Sequence, residues 1–174
     1  TGPMRWEFKN IQAFQPEPFA PATASDMPEI CSAPTEFVFG GFSGNMHTWQ
    51  SFGVFLQQLN GTQQELSPET RAALREMVAD CPDAPCKIRR IYDHLQANTR
   101  YFYVGLGIGG WQPALASQVD QLKYGDCKGL SNYMVAMLKA VDVPAYYAIV
   151  RAGEDQQLQF PDFPNAHFNH VIAC

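Results

Sequence analysis

A chain of 174 residues suits one domain with a sizeable core and would be cramped for two. Twelve basic side chains against seventeen acidic ones leave a net charge of −5, and no Lys/Arg cluster could neutralise a row of phosphates, so nucleic acid is not an expected partner. The hydrophobic share of 46 % is that of a globular protein, yet no apolar run approaches the roughly 20 residues of a membrane span.

Thr1 to Pro3 have neither the charged start nor the apolar middle of an export signal. From Phe14 to Phe39 prolines recur among Ala, Ser and Thr without helical or strand period. The segment reads as a strap, so 1–45 is expected to be an extended linker and 46–174 the domain. Trp49, Phe52, Leu56 and Leu59 then recur at helical spacing, and Asn60-Gly61 predicts a left-handed stop. Ser67-Pro68-Glu69 opens a second helix, with Ser as N-cap and Pro at its first position, carrying Ala73, Leu74, Met77 and Val78. A third opens near Pro85 and aligns Ile88, Ile91, Tyr92 and Leu95 on one face. Cys81 and Cys86, the one close pair among five cysteines, fit either a small disulfide loop in an exported protein or two thiols in a cytosol. Zinc is disfavoured, since no second Cys pair accompanies them and His167 and His170 lie at the far end of the chain.

Arg100 to Val104 is short and aromatic-rich, a strand or extended segment. Gly105, Gly107 and Gly110 follow as a G-x-G-x-x-G string. A dinucleotide fingerprint must open a helix that faces the pyrophosphate, whereas Trp111-Gln112-Pro113 comes next. No cofactor is therefore expected, and the glycines read as a tight loop that lets backbone pass close to a pocket.

Tyr124-Gly125 is a turn signal, Asp126 can cap a helix, and Leu130, Met134, Met137 and Leu138 continue an apolar stripe as far as Val141. Cys127 thus falls in the first turn, where free N–H groups and the positive helix end favour thiolate over thiol. Lys128 adds positive charge and Asp126 opposes it. The bland alternative is a small buried hydrophobe at a helix start. Two strands are predicted after the helix, Val143 to Ala152 and Phe168 to Ala173, with a polar loop from Gly153 to Pro164 between them. Alternation puts His170 on one face with Phe168 and Ile172. Taken alone it could be a core histidine; packed against the Cys127 helix, that face would bring the imidazole within reach of the thiol.

Tyr124-Gly125-Asp126-Cys127-Lys128, the helix behind it, the aliphatic and aromatic strand, and Phe168-Asn169-His170-Val171 together resemble the transglutaminase-like superfamily. Within it they are most similar to bacterial envelope proteins in which this domain follows a β-rich domain of unknown function. The resemblance covers at least Ile91 to Cys174, including Arg100-Tyr101 and Gly109-Gly110-Trp111-Gln112-Pro113, and Met4 to Pro21 resembles the tail and linker of the preceding domain. It implies an α+β, papain-like core in which a nucleophile-bearing helix packs on an antiparallel sheet, here with additional N-terminal helices. Cys127 matches the nucleophile and His170 the base. The family's acidic orienter stands on the strand after the histidine, so a chain ending at Cys174 is expected to be cut before it. Asp155 and Asp162 precede His170 and do not match that position. For the oxyanion the candidates are the backbone N–H of Cys127 and a side chain from Gln112 or Trp111, with Gln112 preferred. Tyr101, Tyr103, Trp111 and Phe168 either line the cleft or fill the core beneath it.

The implied activity is an acyl-enzyme reaction on amide or peptide bonds, hydrolysis being favoured over cross-linking, with a peptide or protein as substrate and no metal or cofactor. The implied location is the periplasm or cell envelope. The alternative is a non-catalytic module of the same fold that binds a peptide or glycan there. Nothing in the sequence bears on oligomeric state.

Overall fold

The computed structural model describes residues 4–11, 13, 18–19, 30–153 and 160–174. Most of the expected strap before Ile30, and Asp155, lie outside them. The strap's last residues are in fact a hairpin: β1 (Glu36–Phe39) pairs antiparallel with β2 (Phe42–Asn45). Gly40 and Gly41 turn it with φ of +60° and +86°, a reversal that suits residues without a Cβ.

Three capped helices follow as their sequence signals suggest. In α1 (Trp49–Asn60) the Thr48 side chain accepts the Ser51 N–H and the Ser51 side chain returns the bond, a capping box. Ser67 caps α2 (Pro68–Met77) by accepting the Thr70 N–H at 3.1 Å, and Asp83 caps α3 (Ala84–Asn98) through the Cys86 N–H at 2.9 Å. Gly61 corrects the expected left-handed stop. It is right-handed, at φ −56° and ψ −40°, because Gln63 N–H reaches Asn60 O at 3.0 Å and the chain leaves through a further turn. Cys81 and Cys86 form a disulfide with Cα atoms 5.5 Å apart, which resolves the two open readings of that pair.

The next segment is strand for only two residues. β3 (Arg100–Tyr101) runs parallel to β4 (Tyr124–Gly125), which the turn reading of Tyr124-Gly125 did not anticipate. Between them lie a 3-10 turn at Gly107–Gly110 and α4 (Ala116–Leu122). Central to everything is α5 (Cys127–Ala140), whose Tyr133, Val135 and Met137 are at most 1 % exposed among Leu74, Ile91, Val119 and Ala145. A helix buried on nearly every side acts as the core's axis rather than as a lid.

Along α5 lies an antiparallel pair, β5 (Tyr147–Val150) and β6 (His170–Ala173), with Tyr147 opposite Ala173 and Val150 opposite His170. Ser131 Oγ on the helix donates to Val171 O at 3.2 Å. Val171 is 7 % exposed and Ile172 39 %, so the helix-facing side of β6 carries Val171 rather than Ile172. This corrects the expected packing face. A second cluster, Phe52, Phe55 and Leu59 on α1, gathers Trp111, Ile149 and Phe168 beside the head of α5. Among the described residues no helix is long and apolar enough to cross a membrane.

One half-buried polar hub ties the helices together. Asp120 on α4 accepts Thr70 Oγ1 at 2.7 Å from α2, Tyr133 Oη at 2.7 Å from α5, and Lys123 Nζ at 2.9 Å. Burial alone would raise its carboxyl, but the donors Lys123, Thr70 and Tyr133 outweigh it and hold the group below the usual carboxylate range. The unfolded chain then binds more protons in acid. Asp120's charge therefore stabilises the fold above its unfolded value near about 4, and that contribution fades as pH falls through the lower folded value. Asp120→Asn is expected to cost about 1–2 kcal/mol at pH 7. Urea midpoints should show the gap to wild type narrowing at pH 3; a constant gap would mean that shape, not charge, is what Asp120 supplies.

Candidate active site

The head of α5 is built by its own cap. Asp126 Oδ1 accepts the Gly129 N–H at 3.0 Å, which frees Oδ2 to face the segment after β3. There Oδ2 accepts the Lys128 ammonium and the Val104 N–H, the latter at 3.4 Å. Lys128 Nζ also donates to Val104 O at 3.3 Å and lies 5.6 Å from the centre of the Tyr103 ring. Both charged residues are buried, Asp126 at 3 % and Lys128 at 6 % exposed. The ion pair thus clamps the 102–104 segment against the helix start, where Cys127 is half-buried.

Beside this clamp lies a pocket of ≈ 260 Å³ lined by Cys127, His170, Trp111, Tyr103, Tyr147 and Phe168, among others. Cys127 comes to it from the first turn of α5 and His170 from the first residue of β6. Next to His170, Asn169 locks the strand entrance: its Oδ1 accepts the Ala152 N–H at 2.7 Å and its Nδ2 donates to Ala152 O at 2.8 Å. Edge-on contacts of Phe168 with Trp49, at 5.9 Å, and of Trp111 with Phe52, at 6.2 Å, fix two aromatic walls. Trp111 and Phe168 therefore do both of the things foreseen for them, lining the pocket and packing on the α1 cluster.

The oxyanion candidates separate. Trp111 lines the pocket, whereas Gln112 does not; its Nε2 donates to Leu59 O at 2.7 Å and it lines a neighbouring cavity. Tyr101 is 58 % exposed, and its phenol is raised above the ordinary range by burial first and then by negative charge at Cys127, against the pull of the Cys127 backbone N–H. Of the residues with a place at this site, Tyr147 was not singled out by sequence reasoning, Asn169 entered only within the Phe168–Val171 string, and Lys128 only as a charge beside Cys127, not as half of a buried pair. Among the described residues no group of three His, Cys, Asp or Glu side chains could hold a metal ion.

Comparison with known proteins bears on the same region. The profile of the transglutaminase-like superfamily matches residues 71–173, a span holding α3, α4, α5, both small sheets around them and every pocket residue named above. A crystal structure of a candidate protease from Parabacteroides distasonis superposes with a TM-score of 0.54 at 18 % identity, over 68 % of this chain. The matched region is 23 % of that protein's length, and the likeness is one of fold. No curated protein sequence matches the chain.

Proposed function

Since the chain belongs to the transglutaminase-like superfamily, we propose that it is a cysteine enzyme acting on amide or peptide bonds through an acyl-enzyme at Cys127. One observation carries this reading: Cys127, at the head of a buried helix, and His170, at the start of the strand packed along it, line the same pocket. In the proposed cycle His170 takes the thiol proton and Cys127 Sγ adds to the amide carbonyl. When the tetrahedral intermediate collapses, the C–N bond breaks and the amine leaves with the proton from His170. Water, deprotonated by His170, then cleaves the thioester to a carboxylic acid and restores the thiol. A peptide or protein substrate accords with the protease-like fold and with a pocket walled by Trp111, Tyr103 and Phe168. The Cys81–Cys86 disulfide favours an oxidising compartment, in line with a place in the cell envelope.

The chain supplies its own control thiol, because Cys174 is free and exposed. At pH 7 iodoacetamide is expected to label Cys127 at least about 10-fold faster than Cys174, followed by peptide mass, despite the greater exposure of Cys174. Equal or slower labelling of Cys127 would favour a module that binds without catalysing.

A further inference from the structure

We propose that Tyr147 supplies the side-chain donor of the oxyanion site, its Oη–H binding the carbonyl oxygen of an acyl group held at Cys127. The assignment rests on the acyl-enzyme reading of the same pocket and adds to it a residue on β5.

Tyr147 Oη is buried and has no hydrogen-bond partner among the described residues. A buried hydroxyl left unpaired costs stability, so in a pocket it is a group that a bound oxygen can satisfy. Register explains its placement. Tyr147 stands opposite Ala173, which packs against the core around α5, so the ring is held on the helix side of the sheet and lines the Cys127 pocket. Burial, and then negative charge at Cys127 and at Asp126, push its phenol far above neutral pH. It is therefore a donor throughout the working range, on a ring that lines the same pocket as Cys127. Of the side-chain candidates weighed above, the Gln112 amide is taken by Leu59 O, while Trp111 lines the same pocket as Tyr147 and can serve beside it.

The balance of the step is simple. As the C–S bond forms, the carbonyl π pair moves onto oxygen, which accepts the Tyr147 hydrogen bond; the proton stays on the phenol. When the pair returns to rebuild the carbonyl, the leaving group departs and Oη is again unpaired. Removing one such donor typically costs 10²–10³-fold in rate.

A peptide aldehyde tests this without any leaving group, since the thiol adds across its carbonyl to give a hemithioacetal. For N-acetyl-leucinal, Tyr147→Phe should weaken Kd about 10- to 100-fold relative to wild type. Iodoacetamide labelling of Cys127 forms no oxyanion and should stay within about twofold. The thermal midpoint of Tyr147→Phe should not fall, because no hydrogen bond is lost. Unchanged aldehyde affinity in Tyr147→Phe overturns the assignment while leaving Cys127 as nucleophile. Equal losses in both measurements also overturn it, because Tyr147 would then act on the thiol. If Cys127→Ala binds the aldehyde as tightly as wild type, the acyl-enzyme reading falls and this assignment falls with it.

Discussion

Replacing His170 by alanine is expected to lower cleavage of labelled casein by about 10²–10⁴-fold while leaving the fold in place. The magnitude follows from the proposed role, in which a positioned base takes the thiol proton, returns it to the leaving amine, and does so again with water. The second half of the prediction follows from burial. On β6 the residue that faces the core is Val171, at 7 % exposed, whereas His170 is half-buried at the strand's first position. Its backbone pairing with Val150 does not need the imidazole, and Asn169 holds the strand entrance through two bonds to Ala152. Thermal midpoints within a few degrees of wild type should accompany the loss of turnover. Should His170→Ala cleave at the wild-type rate while Cys127→Ala is dead, the proton is moved by another group.

What was legible in the sequence was local. Ser67 with Pro68, and Asp126 ahead of an apolar stripe, mark helix starts because a cap and the N–H it satisfies lie within three residues. The β1–β2 hairpin could have been seen, since Gly40-Gly41 sits between Phe37, Phe39 and Phe42, but prolines before it masked the alternation. Helix α4 left little signal: it has seven residues and no side-chain cap, and it is held by the Asp120 hub and by Val119 in the core. The meeting of Cys127 and His170 at one pocket was readable only through family likeness, because packing between distant segments is what creates it. Tyr147 was invisible for the same reason, a tyrosine in an apolar strand whose unpaired hydroxyl exists only once β5 lies beside α5.

Lys128→Ala is expected to cost about 3–5 kcal/mol of stability, among the largest single losses outside the hydrophobic core. Bringing Lys128 and Asp126 out of water is expensive, and their attraction with the attendant hydrogen bonds offsets that cost only while both are present. Alanine leaves the Asp126 carboxylate buried with the Gly129 and Val104 N–H groups alone. Asp126→Asn keeps the helix cap but strands the ammonium, so it should also destabilise. The double variant Asp126→Asn/Lys128→Met removes both charges at once, and the fall in its urea midpoint should be well below the sum of the two single falls. A cost below about 1 kcal/mol for Lys128→Ala would mean that water reaches the pair, as it does at the surface. The pocket should respond before the whole fold does. Lys128 is what joins Val104 O and the Tyr103 ring to the head of α5, so amide exchange at residues 102–104 should quicken in Lys128→Ala even where the helix itself stays protected.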